Sequence, residues 1–126
     1  MASNDTTISG AVDINVSSNG TVNLVGNIVT TGDVNTAGVG AAGGAVTIDT
    51  NNGVMTISDI TTSGGASTSG NSNGGAAGPI TITTGNNNII TLDNSTLTAL
   101  GGARAGSGTQ GAGATINFDD PVALTT

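Results

Sequence analysis

The sequence predicts an all-β fold, a parallel β-solenoid of about five coils, and three observations carry that expectation. Composition is the first. Thr, Val, Ile, Asn and Gly dominate the 126 residues, 22 of them glycine, while Glu and Lys are absent and Phe118 is the one aromatic residue. β-Branched side chains favour strands, glycine and asparagine favour turns, and the long side chains that favour helices are missing. Alternation is the second. VTID at 46–49 and ITIT at 80–83 place apolar and polar residues at period two, the pattern of half-buried strands. The third is internal repetition, the signature of solenoid architectures.

Residues 1–126 read as one domain, as their number suggests. Residues 6–21 supply a looser N-terminal coil. The pairs Val22 and Leu24, Val46 and Ile48, Ile80 and Ile82, and Ile116 and Phe118 then open coils at 22–45, 46–79 and 80–115 and an incomplete coil at 116–126. These eight side chains are the expected structural core, stacked in two interior columns at ~4.8 Å per layer. Behind the opening pairs, IVTTGDVNTAG (28–38) aligns with VMTISDITTSG (54–64) at an offset of 26. IITLDNSTLTALG (89–101) adds a third copy, with Thr91 on Thr56 and Leu97 on Ile60. Each coil thus holds three short strands, none of them stable alone.

The coils differ in length. Val22 and Val46 lie 24 residues apart, against 34 and 36 for the next two intervals, and glycine-rich segments at 38–44, 64–78 and 101–113 absorb most of the difference. These segments read as loops inserted at one corner, where a solenoid tolerates changes of length. Shortening one should cost little, because closure entropy varies slowly with loop length. In PITITTGNNNIITL (79–92), Ile80 and Ile82 point inward, Thr81 and Thr83 point outward, and Asn86 to Asn88 turn the corner. Asparagine suits that corner because it tolerates left-handed angles and its amides can ladder between layers.

The charge pattern excludes several functions. All eight acids are aspartate, Arg104 is the single cation, and the net charge is −7. Nucleic-acid binding needs clustered Lys and Arg, so no such partner is expected. No apolar run reaches the ~20 residues that span a bilayer, so neither is a membrane. MASNDTTISG lacks the basic start and apolar stretch of a secretion signal. Without His, Cys, Glu or Lys, catalysis would fall to aspartates, and the neighbours Asp119 and Asp120 would point to opposite faces of a strand. Neither an enzyme nor a phosphate-cradling loop is expected, and no cofactor.

Two binding readings stay in view. The repeat alignment stacks Asp33, Asp59 and Asn94 at one corner, where two close carboxylates could share a Ca²⁺ ion; solvated turn aspartates explain the same pattern. An ice-binding solenoid would need outward Thr pairs on each coil. Thr81 and Thr83 form one, but Asn23 and Val25, Thr47 and Asp49, and Asn117 and Asp119 replace it elsewhere, leaving Thr30, Thr56 and Thr91 as a single column.

GGAVTIDTNNGVMTISDITTSGG and GATINFDDPVALTT resemble the repeats of filamentous-haemagglutinin-like bacterial exoproteins, adhesins secreted by two-partner or autotransporter routes. The resemblance covers residues 20–124 and rests on repeat style. It implies a right-handed parallel β-helix at the bacterial cell surface, although the 126 residues show no secretion domain, anchor or Arg-Gly-Asp tripeptide. The ending in mid-coil at PVALTT fits either an excerpt of a longer protein or a last coil that another subunit completes. The expected role is non-enzymatic and structural: an extracellular adhesin stalk or self-stacking filament segment. Its partners would be further copies stacked head to tail and a host or cell-surface glycan or protein. The ice-binding solenoid is the alternative.

Overall fold

A computed structural model describes residues 10–17 and 19–125. Residues 6–9 of the expected N-terminal coil lie outside the described part. Eleven strands form three parallel sheets, and no helix occurs among the described residues. The first sheet holds β1 (Val12–Val16), β4 (Val46–Thr50), β7 (Ile80–Thr83) and β10 (Ile116–Phe118) in that order. The second orders β2 (Val22–Asn23), β5 (Met55–Ile57), β8 (Ile90–Asp93) and β11 (Val122–Thr125). The third orders β3 (Ile28–Val29), β6 (Ile60–Thr61) and β9 (Leu97–Thr98). The chain therefore visits the three sheets in turn and climbs one strand per circuit, a β-solenoid of about three turns.

Five coils were expected, and the difference has a specific source. Val22 pairs with Met55 in the second sheet, while Val46 pairs with Val12 and Ile48 with Ile14 in the first. The pair Val22 and Leu24 therefore belongs to a different column from Val46 and Ile48, and 22–45 is not a coil of its own. With Val12 as the true starting point, successive turns begin at 12, 46, 80 and 116, a nearly constant period. The offset of 26 fails for the same reason: Ile28 stacks on Ile60, not on Val54. The third copy is correct, with Thr56 on Thr91 and Ile60 on Leu97.

The core follows from the alternation. Val46, Ile48, Ile57, Ile60, Ile80, Ile82 and Ile90 are fully buried, and Met55 and Val22 nearly so. Leu24 and Phe118 pack against this cluster partly buried, and Ile116 is 38% exposed because it lies in the last layer. Buried Thr50 ends β4, and buried Thr84 directly follows β7. The Thr50 hydroxyl donates to the Gly53 carbonyl, and that of Thr84 to the Asn88 carbonyl. Asn86 and Asn87 take left-handed angles at this corner, as expected. The Asn88 amide donates to the Asn52 side chain, which donates in turn to Asn19, an amide ladder across three layers.

The glycine-rich segments leave the coil at one corner, as expected, but they are not loose loops. Along β3 the backbone donors Ile28, Thr30 and Gly32 bond Asp59, Thr61 and Ser63, a step of two. The next donor is Asn35, to Ala66, a step of three. The returning segments keep the step of three: Gly40, Gly43 and Val46 donate to Asn73, Ala76 and Pro79. Gly74, Ala77 and Ile80 donate likewise to Thr109, Ala112 and Thr115. Three residues per turn without internal hydrogen bonds is the repeat of the extended polyproline II helix. Outgoing segments 30–35, 62–67 and 98–103 and return segments 40–45, 73–79 and 109–115 thus form a bundle of six, two per turn. Outgoing and return segments run antiparallel, joined by bonds such as Gly75 to Gly65 and Gly78 to Thr62.

Glycine is required there by close approach. A Cβ on Gly65 would overlap the carbonyl oxygen of Asp33, and one on Gly102 would overlap that of Gly65. Such contacts bring Cα–H groups onto carbonyls, the weak hydrogen bond that closely packed backbones make. Thr30 and Thr62 fasten the bundle to the third sheet, where each donates its buried hydroxyl to a return-segment carbonyl at 2.6 Å, Gly44 and Gly78 respectively.

Candidate functional site

The observed register fixes what each outer face presents. On the first sheet the outward pairs are Asp13 and Asn15, Thr47 and Asp49, Thr81 and Thr83, and Asn117 and Asp119. Asn23 and Val25 do not belong to this face, since β2 lies in the second sheet. On the second sheet Thr56 and Thr91 are neighbours, with Asn23 below and Ala123 above. Thr30 is not in that column: it is buried and points into the coil. Among the described residues, outward threonines of paired strands therefore meet only as Thr47 on Thr81, Thr56 on Thr91 and Thr61 on Thr98, one pair on each sheet.

The three residues considered for calcium do not converge. Asp59 lies in the turn before β6 and accepts the Thr96 N–H at 2.7 Å. Asn94, left-handed at φ 49, sits in the equivalent turn one layer on. Asp33 follows β3 in the glycine bundle, where its carbonyl accepts the Ala41 N–H. The misplaced offset of 26 had brought Asp33 to Asp59; the true neighbour of position 33 is Gly65.

Asp119 and Asp120 point apart. Asp119 accepts from the Thr83 hydroxyl and the Asn117 amide on the outer face. Asp120 turns back over the preceding layer and accepts the Thr84 N–H at 2.8 Å and the Gly85 N–H at 3.2 Å. The Thr84 N–H, foremost, holds the Asp120 carboxyl below its ordinary range. Arg104 is exposed at a hairpin tip and donates to the Gly108 carbonyl. Two shallow grooves flank the second sheet. One contains Asn23, Leu24, Thr56, Ser58 and Asp93, the other Leu92, Asn94, Ser95, Thr96, Leu124 and Thr125. The first holds one carboxylate and the second none, so neither offers an acid and a base to one substrate.

The ends of the stack are chemically distinct from its sides. β1, β2 and β3 form the first end, and β10, β11 and β9 the last, each with one unpartnered edge within the described layers. At the last end, Ile116 and Val122 are 38% and 40% exposed and Leu124 is 75% exposed. Leu124 nevertheless keeps its column, in register with Leu92. Among the described residues no helix is long and apolar enough to cross a membrane. The chain matches no protein-family model, and no curated protein or solved structure proved similar to it.

Proposed function

We propose that the chain is a non-enzymatic structural element, an adhesin-type stalk or filament segment outside the bacterial cell, whose copies stack head to tail. The solenoid would coil right-handed, the hand that parallel β connections take. The observation that supports this reading is the last described layer: β10 and β11 continue the interior columns in register, and no described residue covers their apolar side chains. An edge of that kind is a template for another strand of the same pattern. A second copy's β1 and β2 present that pattern, and a repeated heterologous contact of this type grows a filament. The side-chain inventory supports a structural role, since neither of the two grooves beside the second sheet pairs titratable groups. The outer faces and hairpin tips are where a host or cell-surface glycan or protein would bind.

Sedimentation over a wide concentration range, with electron microscopy of the concentrated sample, tests the reading. Reversible growth into rods is expected, and a monomer at every concentration rejects self-stacking. The rival reading, an ice-binding solenoid, draws on the stacked pairs Thr47–Thr81, Thr56–Thr91 and Thr61–Thr98. Asp49 and Asp119 flank Thr83 in its column, however, and interrupt a flat threonine array. Thermal hysteresis in the same sample decides for that rival.

A further inference from the structure

Asparagine followed by glycine occurs at 19–20, 52–53 and 73–74. The pair is chemically labile, because glycine has no Cβ to shield its backbone nitrogen. That nitrogen gives up its proton and attacks the side-chain carbon Cγ of the asparagine. The Cγ–Nδ2 bond breaks, ammonia leaves with the proton, and a five-membered succinimide remains. Water then opens the ring at either carbonyl, giving aspartate or isoaspartate. The reaction needs no other reactant, but it does need the side chain to swing onto the following nitrogen. The pairs at 52–53 and 73–74 have described layers on both sides, and the atoms that must move are tied to those layers.

Asn73–Gly74 lies in the return segment of one turn and grips a single residue of the next. The Asn73 side-chain oxygen accepts the Thr109 N–H at 2.8 Å, and the Gly74 N–H donates to the Thr109 carbonyl at 3.0 Å. The attacking nitrogen and the amide it would attack are therefore both engaged with Thr109. From the other side, the Gly40 N–H donates to the Asn73 carbonyl at 3.0 Å. Gly74 is buried, and even a Cβ there would overlap the Gly102 carbonyl.

Asn52–Gly53 is held differently. The Asn52 amide donates to Asn19 at 2.9 Å and its oxygen accepts from Asn88 at 3.1 Å, so the ladder fixes both ends of the side chain. Gly53 is buried, and its carbonyl accepts the Thr50 hydroxyl at 2.9 Å. Asn52 and Asn73 are themselves exposed, so water reaches them; bonding between layers, not burial, restrains the side chains.

We infer that Asn52 and Asn73 are deamidation sites gated by the stack, each closing its succinimide only when its layer has opened locally from the one it is bonded to. Deamidation then leaves a covalent record of coil opening, whether or not copies associate. The two records differ in consequence. An aspartate at position 73 still accepts the Thr109 N–H. One at position 52 loses the donor to Asn19 and sets two oxygens against each other.

Peptide mass mapping of the whole chain in mildly alkaline buffer, with and without guanidinium chloride, follows each site separately. Both sites are expected to deamidate at least tenfold more slowly in the folded chain, and equal folded and unfolded rates at either site overturn the inference. Asn88→Ala removes one restraint on Asn52 and none on Asn73. It is expected to speed deamidation at Asn52 at least threefold and to leave Asn73 unchanged; acceleration of both sites, or of neither, overturns gating layer by layer. Circular dichroism checks folding, and where Asn88→Ala does not fold, Asn88→Asp, which keeps the shape without the donor, takes its place. Asn52→Asp is expected to lower the denaturation midpoint while Asn73→Asp stays near the native value, and the reverse order overturns the roles assigned to the two amides.

Discussion

Two side chains show how this fold uses polar groups where an ordinary core would use none. Thr62 is fully buried, and its hydroxyl donates at 2.6 Å to the Gly78 carbonyl. Thr62→Val keeps the shape and removes that donor, leaving a buried carbonyl with fewer partners. The expected loss is about 1–2 kcal/mol, read as a lower midpoint in urea with an unchanged slope. Asp120 acts from the other side, accepting the Thr84 and Gly85 N–H groups that the last layer would otherwise leave open. Its carboxyl is held below the ordinary value of 3.8, so the ionised form stabilises the fold. That contribution is complete well above pH 3.8 and disappears as pH falls through the lowered value. Melting temperatures measured in acid should therefore fall less steeply for Asp120→Asn than for the native chain. Parallel curves would show that Asp120 caps nothing.

At the scale of elements, the strands and the glycine segments differ in how visible they were. Alternation in VTIDT and ITIT identified β4 and β7, and Ile48 and Ile82 are buried neighbours despite the 34 residues between them. Ile82→Asp places an unpaired charge in that core, and loss of the cooperative β-type transition is expected. Val-Asn-Leu at 22–24 misled because a two-residue alternation looks the same in any sheet; VDINV at 12–16 carried the better match to VTIDT. The glycine bundle left a subtler mark. Its donors recur every third residue, and a reading tuned to periods of two and 3.6 passes over that. Gln110 and Thr62 went unnoticed because their partners, Gly101 and Gly78, come beside them only when the return segment folds back along the outgoing one. The error has a measurable consequence. Deleting Ser67 to Asn73 should have been nearly neutral for a free loop. It removes the bonds from Ser67 to Ala103 and from Gly40 to Asn73, together with the Ser67 hydroxyl bond to Gly38. Substantial destabilisation, several kcal/mol at about 1 per bond, is now expected in chemical denaturation. A deletion variant as stable as the native chain would return the segment to the status of a loop.

Among the described layers, the decisive contrast is between sides that are saturated and edge strands that no described strand covers. Every interior strand is paired above and below, and the charges on the sides are almost all negative. Lateral association would bring like charges together, whereas end-to-end contact satisfies an open ladder and covers apolar surface. Leu124 separates these directions experimentally. It occupies an inward column in register with Leu92, yet it is three-quarters exposed because no layer covers it. Leu124→Lys therefore removes little from the isolated fold, within about 0.5 kcal/mol, the usual range of an exposed substitution. In a stack the same lysine would be trapped beneath a second copy's β2, beside Val22 and Leu24, without a partner for its charge. Self-association should drop by at least tenfold while circular dichroism and melting stay close to native. Lysine on an exposed strand edge is also the device by which natural sheets discourage unwanted pairing. If the variant assembles as readily as the native chain, the copies are meeting somewhere other than the last layer, and head-to-tail stacking is the wrong geometry.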